Sequence, residues 1–432
     1  MESILGMMAI FLVLLFLGVP VAFSFILAAA AYVYLLGSNI PDTIIAARGI
    51  TLVSESYTIL AVPLFIFSAR LLNDAGMTDR LVRFALAAVG HVRGGVGHAV
   101  ILANMVMAGM SGSATADAAG IGQAMIPVLR KAGYSAASAA ALTASAATIG
   151  PIIPPSVAMV LYAALSNVSV GRLLLGGVVP GFLLGLFLIG SLLVSAEARA
   201  LKRIPFDLRR LLSSAKDAVL SILMPVIILG GMLFGVYTPT EGAAVAVAYA
   251  LFIGSVVYRT LTPAIVWHGL QATAATTGVV LFIVMGASSV GWIMTAAGAG
   301  DALRPLFLPL AGNPGLTLLI IAGMTLLLGT AMEEVTMLVL MTPILAPVVA
   351  DFGIDPIHFG VVFVLSTMIG LITPPVGISM FITCHIAGVT TNEFTRAVIR
   401  PFIALVLVVV VICFVPEAVL WLPNTLIGTT NR

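Results

Sequence analysis

The stretch "GPIIPPS" at residues 150–156 interrupts a long apolar run, because no charged residue lies between Lys131 and Arg172. Its prolines and glycine end a helix, since proline lacks the backbone N–H that a helix interior needs. Non-helical backbone at membrane depth is tolerated only where it is buried in protein or lines a water-filled cavity. Carbonyl groups one turn earlier lose their partners, so the stretch predicts a binding loop inside a membrane domain.

The composition predicts a protein that crosses the bilayer several times. Of the 432 residues, 61% are hydrophobic and 8% are charged, and the mean hydropathy is +1.20. Soluble domains carry about 25% charged residues, so lipid must be the solvent for most of this surface. The net charge of +2 includes no basic block suited to nucleic acid.

The sequence contains no set of residues typical of an enzyme. It has no H-E-x-x-H pair, no Walker lysine loop and no nucleophile elbow. We therefore expect neither catalysis nor a bound nucleotide. Two cysteines, Cys384 and Cys413, and the scattered histidines lack the spacing of a transition-metal site.

The distribution of Lys and Arg orients the chain, because cytoplasmic loops carry an excess of basic residues. The basic cluster at 197–216 is predicted to be cytoplasmic, and the basic segment 79–95 is predicted to lie along the cytoplasmic membrane surface. Residues 1–47 contain no Lys or Arg, which predicts an external N-terminus. The apolar run 3–41 divides at "GVP" (18–20) into two helices, and each half of the chain then crosses the membrane an odd number of times.

The second half repeats the first at an offset of 220 residues. "TIGPIIPPS" (148–156) aligns with "MIGLITPPV" (368–376), and Pro127 aligns with Pro347. An odd number of crossings per half inverts the second copy relative to the first. Inverted repeats with broken helices at the midplane are the architecture of secondary transporters.

The predicted fold is an all-α polytopic membrane protein built from two inverted repeats, 1–216 and 217–432. Each repeat contains a re-entrant helical hairpin, because its apolar segment begins and ends on the same side of the membrane. The predicted parts are scaffold helices at about 1–95, a hairpin at 97–130 and a broken helix at 134–170, followed by scaffold helices at about 217–300, a hairpin at 315–350 and a broken helix at 356–392.

The first hairpin, "MAGMSGSATADAAGIG" (107–122), carries polar groups near its tip. Ser111 and Ser113 are expected to offer hydroxyls and free N–H groups there. Packing of small residues between helices explains the alanines and glycines equally well, but it explains Asp117 poorly. A carboxylate within the membrane is a functional candidate by default, and exposure in an aqueous cavity is the alternative.

The second hairpin carries "GTAMEEVTM" at 329–337. Glu333 and Glu334 are adjacent and therefore point to different helix faces. Solvation at the hairpin mouth and a role in the binding site are equally supported. Glu241 in "TPTEGAA" is expected to cap a helix that begins near Gly242.

Five stretches resemble the large membrane subunit of tripartite ATP-independent periplasmic (TRAP) transporters. The resemblance implies an elevator-type secondary transporter of the ion transporter superfamily in the bacterial inner membrane. It also implies a Na⁺ gradient as the energy source, a periplasmic solute-binding protein that delivers an organic carboxylate, and a small four-helix membrane subunit as a separate partner. The stretches are "GMSGSATAD" (109–117), "GPIIPPS" (150–156), "GVYTPTEGAA" (235–244), "GIDPIHFGVV" (353–362) and "GLITPPVG" (370–377).

The resemblance also implies site residues, matched motif by motif. The family often has an Asp near Glu333, where this chain has two glutamates, so the role of that pair stays open. No arginine lies clearly at midplane depth, so a bidentate arginine clamp is not predicted. One sodium site is expected at Gly329, Gly370, Thr373, Val376 and Thr383, a second by the repeat at Ser111, Gly150, Ile153 and Ser156, and the substrate at Ser111, Ser113, Pro155, Ser156, Thr330 and Pro375.

Two alternatives stay open from the sequence. One is a receptor-independent Na⁺/dicarboxylate symporter of the same superfamily. The other is a membrane scaffold that transports nothing, although a scaffold does not need non-helical backbone at the membrane midplane. The identity of the carboxylate, the Na⁺ to substrate ratio and the oligomeric state cannot be read from the chain.

Overall fold

All regular secondary structure in the described part of this computed structural model is helical. Seven of the helices there are long and apolar enough, by length and composition, to cross a membrane. The protein is an all-α, multi-pass membrane protein. The described residues are 2–34, 47, 49–51, 54, 56–201, 205–298 and 312–428.

Some residues of the predicted segments fall outside these described residues. They are residues 1, 35–46, 48, 52, 53 and 55 of the first scaffold segment, 202–204 of the basic cluster, 299 and 300 of the second scaffold segment, and 301–311 before the second hairpin. The last residues of the predicted second repeat, 429–432, also fall outside them.

The first half of the chain runs from two N-terminal helices through a hairpin and an interrupted helix to a long span. A single 3₁₀ turn, Tyr57–Leu60, leads into the third helix. The helices are α1 (Glu2–Phe16), α2 (Val21–Tyr34), α3 (Ala61–Asp74), α4 (Met77–Val89), α5 (Gly95–Ser111), α6 (Ala114–Lys131), α7 (Ala136–Ala147), α8 (Val157–Ser166), α9 (Val170–Val194) and α10 (Ala196–Ala200).

The second half begins with three long helices and then follows the order of the first. A π-helical turn, Ile253–Val257, extends the second of them. The helices are α11 (Leu208–Leu233), α12 (Pro239–Phe252), α13 (Pro263–Ala296), α14 (Pro314–Gly329), α15 (Glu334–Asp351), α16 (Pro356–Gly370), α17 (Ile378–Ala387), α18 (Thr391–Phe414) and α19 (Glu417–Leu426).

The helix order of the two halves corresponds closely in sequence position. Both bounds of α6 recur in α15 after 220 residues, and α7 and α16 also begin 220 residues apart. Each half therefore has two packed helices followed by an interrupted one. Both interruptions contain a cis Pro–Pro bond, at Pro154–Pro155 and Pro374–Pro375.

The helices pack in two groups. The hairpins and interrupted helices of both halves contact one another, as α6 packs on α17, α7 on α17 and α8 on α15. A second group joins α2 and α3 to α12 and α13. The groups meet where α13 packs on α15 and α3 packs on α5 and α8. Atoms from both groups therefore line the space between them.

Helix α4 covers most of the basic segment predicted at 79–95, and a turn completes it. One face of α4 is buried, including Leu81 and Ala85. The Arg80 guanidinium lies 3.5 Å from the centroid of the Tyr258 ring. The helix is therefore fastened to the protein by apolar packing and a cation–π contact.

Helix α11 begins earlier than the predicted scaffold segment, and capping side chains set the starts of both α11 and α13. Helix α11 starts at Leu208 rather than 217, because Asp207 Oδ1 accepts hydrogen bonds from the backbone N–H groups of Arg209 and Arg210 at 2.9 and 3.2 Å. Helix α13 starts at Pro263, where Thr262 caps it by accepting from Ile265 N at 3.4 Å. In each case a capping side chain fixes the first turn of the helix.

Two other predictions are confirmed. Helix α1 ends at Phe16 and α2 begins at Val21, so the N-terminal run divides at "GVP". Glu241 does cap α12, although that helix begins at Pro239 rather than near Gly242. Glu241 Oε2 accepts from Thr238 N at 2.7 Å, and Thr238 Oγ1 accepts from Glu241 N at 3.4 Å, which is a capping box.

Candidate functional site

The first helix interruption is held in shape by Ser156. The side chain of this fully buried residue caps α8 by accepting a hydrogen bond from Met159 N at 3.1 Å. The same hydroxyl donates to the carbonyl oxygen of Pro151 at 2.5 Å. The cap and the loop are therefore tied to one atom, and the start of α8 has a defined position relative to the loop before it.

The tip of the first hairpin closes on this loop. Gly112 has φ +59, and a Cβ at that position would lie 2.6 Å from the Pro155 carbonyl oxygen and 3.2 Å from Val157 N. Only glycine combines that backbone conformation with so close an approach. The hairpin tip and the start of α8 are therefore in backbone contact.

A buried polar group lies behind the hairpin tip. Asp117 is fully buried, and neither of its carboxyl oxygens has a hydrogen-bond partner of good geometry. The hydroxyl of Ser111 lies beside this carboxyl and is itself buried and unpartnered. A Cβ on Gly150 would collide with Asp117 Oδ2. The structure thus brings Ser111, Asp117 and the backbone of Gly150 together.

Ile153 belongs to the predicted sodium site with Ser111, Gly150 and Ser156, but it contributes no side chain to that site. Ile153 packs its side chain on Gly181 of α9, where a Cβ would collide with Ile153 Cγ1. The backbone carbonyl of Ile153 is therefore the group of this residue that could bind an ion.

The second helix interruption, between α16 and α17, is also in backbone contact with the tip of its hairpin. A Cβ on Gly370 would lie 2.6 Å from the carbonyl carbon of Gly329 and 2.8 Å from Leu326 O. Gly377 N donates to the carbonyl oxygen of Thr330 at 3.1 Å. The end of α14 is therefore clamped to both ends of the interruption.

The hydroxyls of this second loop bond back to their own helices. Thr373 Oγ1 donates to Ile369 O at 2.8 Å, and Thr383 Oγ1 donates to Ser379 O at 3.0 Å. Both oxygens keep lone pairs that can accept or bind a cation. Val376 and Pro375 are exposed, whereas Pro155 in the first loop is buried under the hairpin tip.

A cavity of about 560 Å³ lies between the two hairpins and the second helix group. Ser111 and Ser113 at the tip of the first hairpin line it, as predicted. The other predicted substrate residues, Pro155, Ser156, Thr330 and Pro375, are not among the residues that line it. The remaining polar side chains of its wall are Arg70, Asn73, Thr115, Gln123, Thr273, Thr276, Glu333 and Glu334.

Six of these polar wall residues have no counterpart in the sequence-based prediction, and three of them, Arg70, Thr273 and Gln123, illustrate why. Arg70 lies near the end of α3 with Nε 4.0 Å from Asp74 Oδ2, and its side chain is 47% exposed. Thr273 is 4% exposed and its hydroxyl has no partner, while Gln123 lies on α6. The i,i+4 spacing of Arg70 and Asp74 is the only local signal, and it is equally typical of a helix surface.

The two glutamates of the second hairpin differ in role. Glu333 caps α15, because its Oε2 accepts from Val335 N at 3.2 Å and from Thr336 N at 3.5 Å. Glu334 follows it in the first turn of α15 and is 7% exposed at the cavity wall. The capping bonds give Glu333 a structural function beside its place in the cavity wall, whereas Glu334 lines the cavity without capping the helix.

Comparison with known proteins identifies relatives along nearly the whole chain. Residues 8–418 match the family model described as the tripartite ATP-independent periplasmic transporter, DctM component. The sialic acid TRAP transporter large permease protein SiaM of Vibrio cholerae is 41% identical over 416 residues, which are 96% of this chain and 97% of SiaM. The C4-dicarboxylate TRAP transporter large permease protein DctM of Pseudomonas aeruginosa is 37% identical over 374 residues, covering 86% of this chain and 88% of DctM.

The fold is also similar to that of a solved transporter. The crystal structure of the YdaH transporter of Alcanivorax borkumensis aligns with a TM-score of 0.65, covering 90% of this chain and 91% of YdaH. Sequence identity in that alignment is 15%, so the likeness concerns the fold alone.

Proposed function

The chain belongs to the DctM component family of tripartite ATP-independent periplasmic transporters, and we propose that it imports a small organic carboxylate by Na⁺ symport. It is the large permease of such a transporter and a multi-pass protein of the bacterial inner membrane. The observation that carries the proposal is the pair of interrupted helices, each closed by the tip of a helical hairpin. Such interruptions present free carbonyl groups and helix ends to an ion and an anion.

The first Na⁺ site is proposed at Ser111, Gly150, Ile153 and Ser156. Na⁺ in broken-helix transporters is coordinated by unwound backbone carbonyls and half-helix C-terminal ends. The C-terminal end of α7 and the loop after it supply such groups, and the unpartnered Ser111 hydroxyl lies close by. A bound cation would also satisfy the buried Asp117 carboxyl, whose oxygens otherwise lack partners.

The second Na⁺ site is proposed at Gly329, Gly370, Thr373, Val376 and Thr383. The close contact of Gly329 with Gly370 leaves no room for a side chain between the end of α14 and the end of α16. Carbonyl groups at two helix C-terminal ends therefore converge, and each end carries a partial negative charge. Thr373 and Thr383 add hydroxyl oxygens to that set.

The substrate is proposed to bind in the cavity beside Ser111 and Ser113. Ser113 is the N-cap residue of α6, where free N–H groups and the helix dipole favour an anion, and Ser111 ends α5 beside it. Arg70 adds a cation in the opposite wall. The volume of about 560 Å³ is in the range of small-molecule sites. Carboxylates are named for both relatives, a sialic acid for SiaM and a C4-dicarboxylate for DctM, and we propose the same chemical class here.

We propose that Na⁺ binding and substrate binding are coupled because the backbone of the first loop contributes to both sites. The loop that would hold Na⁺ also positions the hairpin tip at the substrate cavity, since Gly112 contacts Pro155 and Val157. Na⁺ binding would therefore change the affinity for substrate, and the reverse must hold equally. We propose that the hairpins and interrupted helices move as one unit against the second helix group, as in an elevator.

Two partner proteins are part of the proposal. The family description specifies a tripartite, periplasmic system. A periplasmic solute-binding protein would deliver the carboxylate, and a small four-helix membrane subunit would brace the second helix group.

Uptake by proteoliposomes tests this function. The chain is reconstituted with its small subunit and binding protein, and entry of labelled sialic acid or succinate is followed. An inward Na⁺ gradient should drive accumulation, and replacement of Na⁺ by K⁺ should abolish it. Equal accumulation in both salts would exclude Na⁺ coupling. Accumulation without the binding protein would instead favour the receptor-independent alternative.

A further inference from the structure

Two adjoining cavities lie between α9 and α18, away from the substrate cavity. One is a polar pocket of about 370 Å³ whose wall includes Arg396 and Arg400. The other is an apolar groove of about 620 Å³ that runs along the two helices. Ser191 and Arg400 belong to both, so the pocket opens directly into the groove.

We propose that this composite site binds one anionic phospholipid of the cytoplasmic leaflet. The phosphate would lie between Arg396 and Arg400, and an acyl chain would follow the groove. The C-terminal end of α9 leads directly into the basic stretch 197–216, and basic stretches mark the cytoplasmic side. That leaflet is rich in anionic lipids, and basic pockets between membrane helices on that side bind their headgroups.

Neither Arg396 nor Arg400 forms an ion pair with any residue that the structure describes. Glu197 lines the polar pocket, but its Oε1 accepts from Ser135 N at 2.7 Å and its Oε2 accepts from Ser138 Oγ at 2.6 Å. That carboxylate is therefore occupied by the start of α7.

A second carboxylate near the pocket is also occupied. Glu393, one turn before Arg396, accepts from Thr390 N and Thr390 Oγ1 at 2.8 Å each, in a capping box. Both guanidinium groups are therefore available for a phosphate, which arginine binds with several donors in fixed geometry.

The groove has the shape and chemistry for an acyl chain. Its walls include Leu186, Ile403 and Leu407, which are 61%, 51% and 47% exposed. Gly190 deepens the groove, because nothing lies within 4 Å of the position a Cβ would take. A soluble phosphate would fill the polar pocket and leave this groove empty, whereas a phospholipid carries charge and chain in one molecule.

Native mass spectrometry of the purified, delipidated full-length chain tests the proposal. Phosphatidylglycerol is titrated against phosphatidylcholine with the same acyl chains. Phosphatidylglycerol should bind more tightly, and R396Q/R400Q should lower its affinity about 30-fold, since each basic side chain contributes about a fivefold gain near the membrane surface. The matched control R209Q/R210Q removes two exposed arginines of α11 outside the site and should change the affinity less than twofold.

A second variant tests the groove separately. Gly190→Leu fills open space, so the lipid-free protein should keep its thermal unfolding midpoint while the affinity for phosphatidylglycerol falls at least fivefold. Binding of glycerol phosphate alone should not change in this variant.

Several results would overturn the proposal. Equal affinity for phosphatidylglycerol and phosphatidylcholine would do so, as would an equal loss of phosphatidylglycerol affinity in R396Q/R400Q and in the control variant. Glycerol phosphate that binds as tightly as the lipid, or an unchanged lipid affinity in Gly190→Leu, would also contradict it. Occupation of the groove by a membrane protein would also contradict it, and would appear as a co-purifying chain that both the arginine and the glycine variants lose.

Discussion

Gly370, at the end of α16, packs directly on the backbone of Gly329, at the end of α14, such that a Cβ on Gly370 would lie 2.6 Å from the Gly329 carbonyl carbon. These residues are 41 positions apart in the sequence and belong to a hairpin and an interrupted helix. Their contact makes the second loop and the hairpin one rigid site.

The variant Gly370→Ala should therefore destabilise the protein and impair transport. Forcing a methyl group into packed backbone costs about 1–3 kcal/mol, and it would separate the carbonyl groups proposed to bind Na⁺. Thermal unfolding in detergent and Na⁺ titration of uptake measure the two effects. Gly323→Ala is the matched control, because nothing lies within 4 Å of its Cβ position on α14. Equal unfolding temperatures and equal Na⁺ titrations in the two variants would contradict a role for the contact between Gly329 and Gly370.

Loss of the Thr373 hydroxyl should weaken Na⁺ activation. Thr373→Ala removes one proposed ligand oxygen, and the Na⁺ concentration for half-maximal uptake should rise about 10-fold, in line with about 1.4 kcal/mol. Thr373→Ser should retain near-normal titration. Thr395→Ala removes a similar bond back to its own helix, Thr395 Oγ1 to Thr391 O at 2.7 Å, far from the loop. An unchanged Na⁺ titration in Thr373→Ala would remove this residue from the site.

Replacement of Ser156 should damage both the cap of α8 and the shape of the first loop. Ser156→Ala loses the hydrogen bonds to Met159 N and Pro151 O, which should lower the free energy of unfolding by about 1–2 kcal/mol. Ser169→Ala removes an ordinary N-cap, that of α9, and serves as control. Uptake should fall in the first variant and persist in the second. Normal uptake by a destabilised Ser156→Ala would leave Ser156 a purely structural role.

Arg70 should contribute to substrate affinity. Arg70→Gln removes the cation from the cavity wall, and a lost charge-assisted contact predicts a KM for uptake about 10-fold higher. Arg70→Lys should show a smaller rise. Arg130→Gln is the matched control. It removes the same positive charge at the exposed end of α6, outside the cavity wall. If both glutamine variants share the wild-type KM, Arg70 does not meet the substrate.

Cysteine labelling tests the orientation of the chain. Cys384 and Cys413 are buried, so the wild-type protein should resist an impermeant maleimide. Phe206→Cys, at an exposed position within the basic cluster, should react only from the cytoplasm. Glu417→Cys, at the start of α19, should react only from outside. Reaction of the two variants from the same side would overturn the proposed topology.

The parts of the fold that sequence predicts best are those marked by proline, glycine and apolar runs. The interruptions at 150–156 and 370–377 stand out because each contains two adjacent prolines close to a glycine inside an apolar run, whereas single prolines such as Pro180 and Pro225 lie within helices. The starts of α11 and α13 do not stand out in the same way. Asp207 and Thr262 begin those helices by hydrogen bonds to the first backbone N–H groups, and hydropathy does not report such bonds.

The cavity is the part that sequence predicts least well. Ser111 and Ser113 are found from the hairpin motif, but Arg70 and Thr273 reach the same space from α3 and α13, which are distant in sequence. Their local patterns resemble an ordinary helix surface, so only tertiary packing reveals them. Glu333 is a related case, because its capping role depends on where α15 begins.

Co-transport of the ion tests the central claim most directly. Proteoliposomes that contain the chain and its small subunit are supplied with the loaded binding protein, and entry of ²²Na⁺ is measured with and without the carboxylate. We predict that ²²Na⁺ enters only when the carboxylate is present, and that Thr373→Ala reduces this entry at low Na⁺. Carboxylate uptake with no accompanying ²²Na⁺ would contradict Na⁺ symport by this protein.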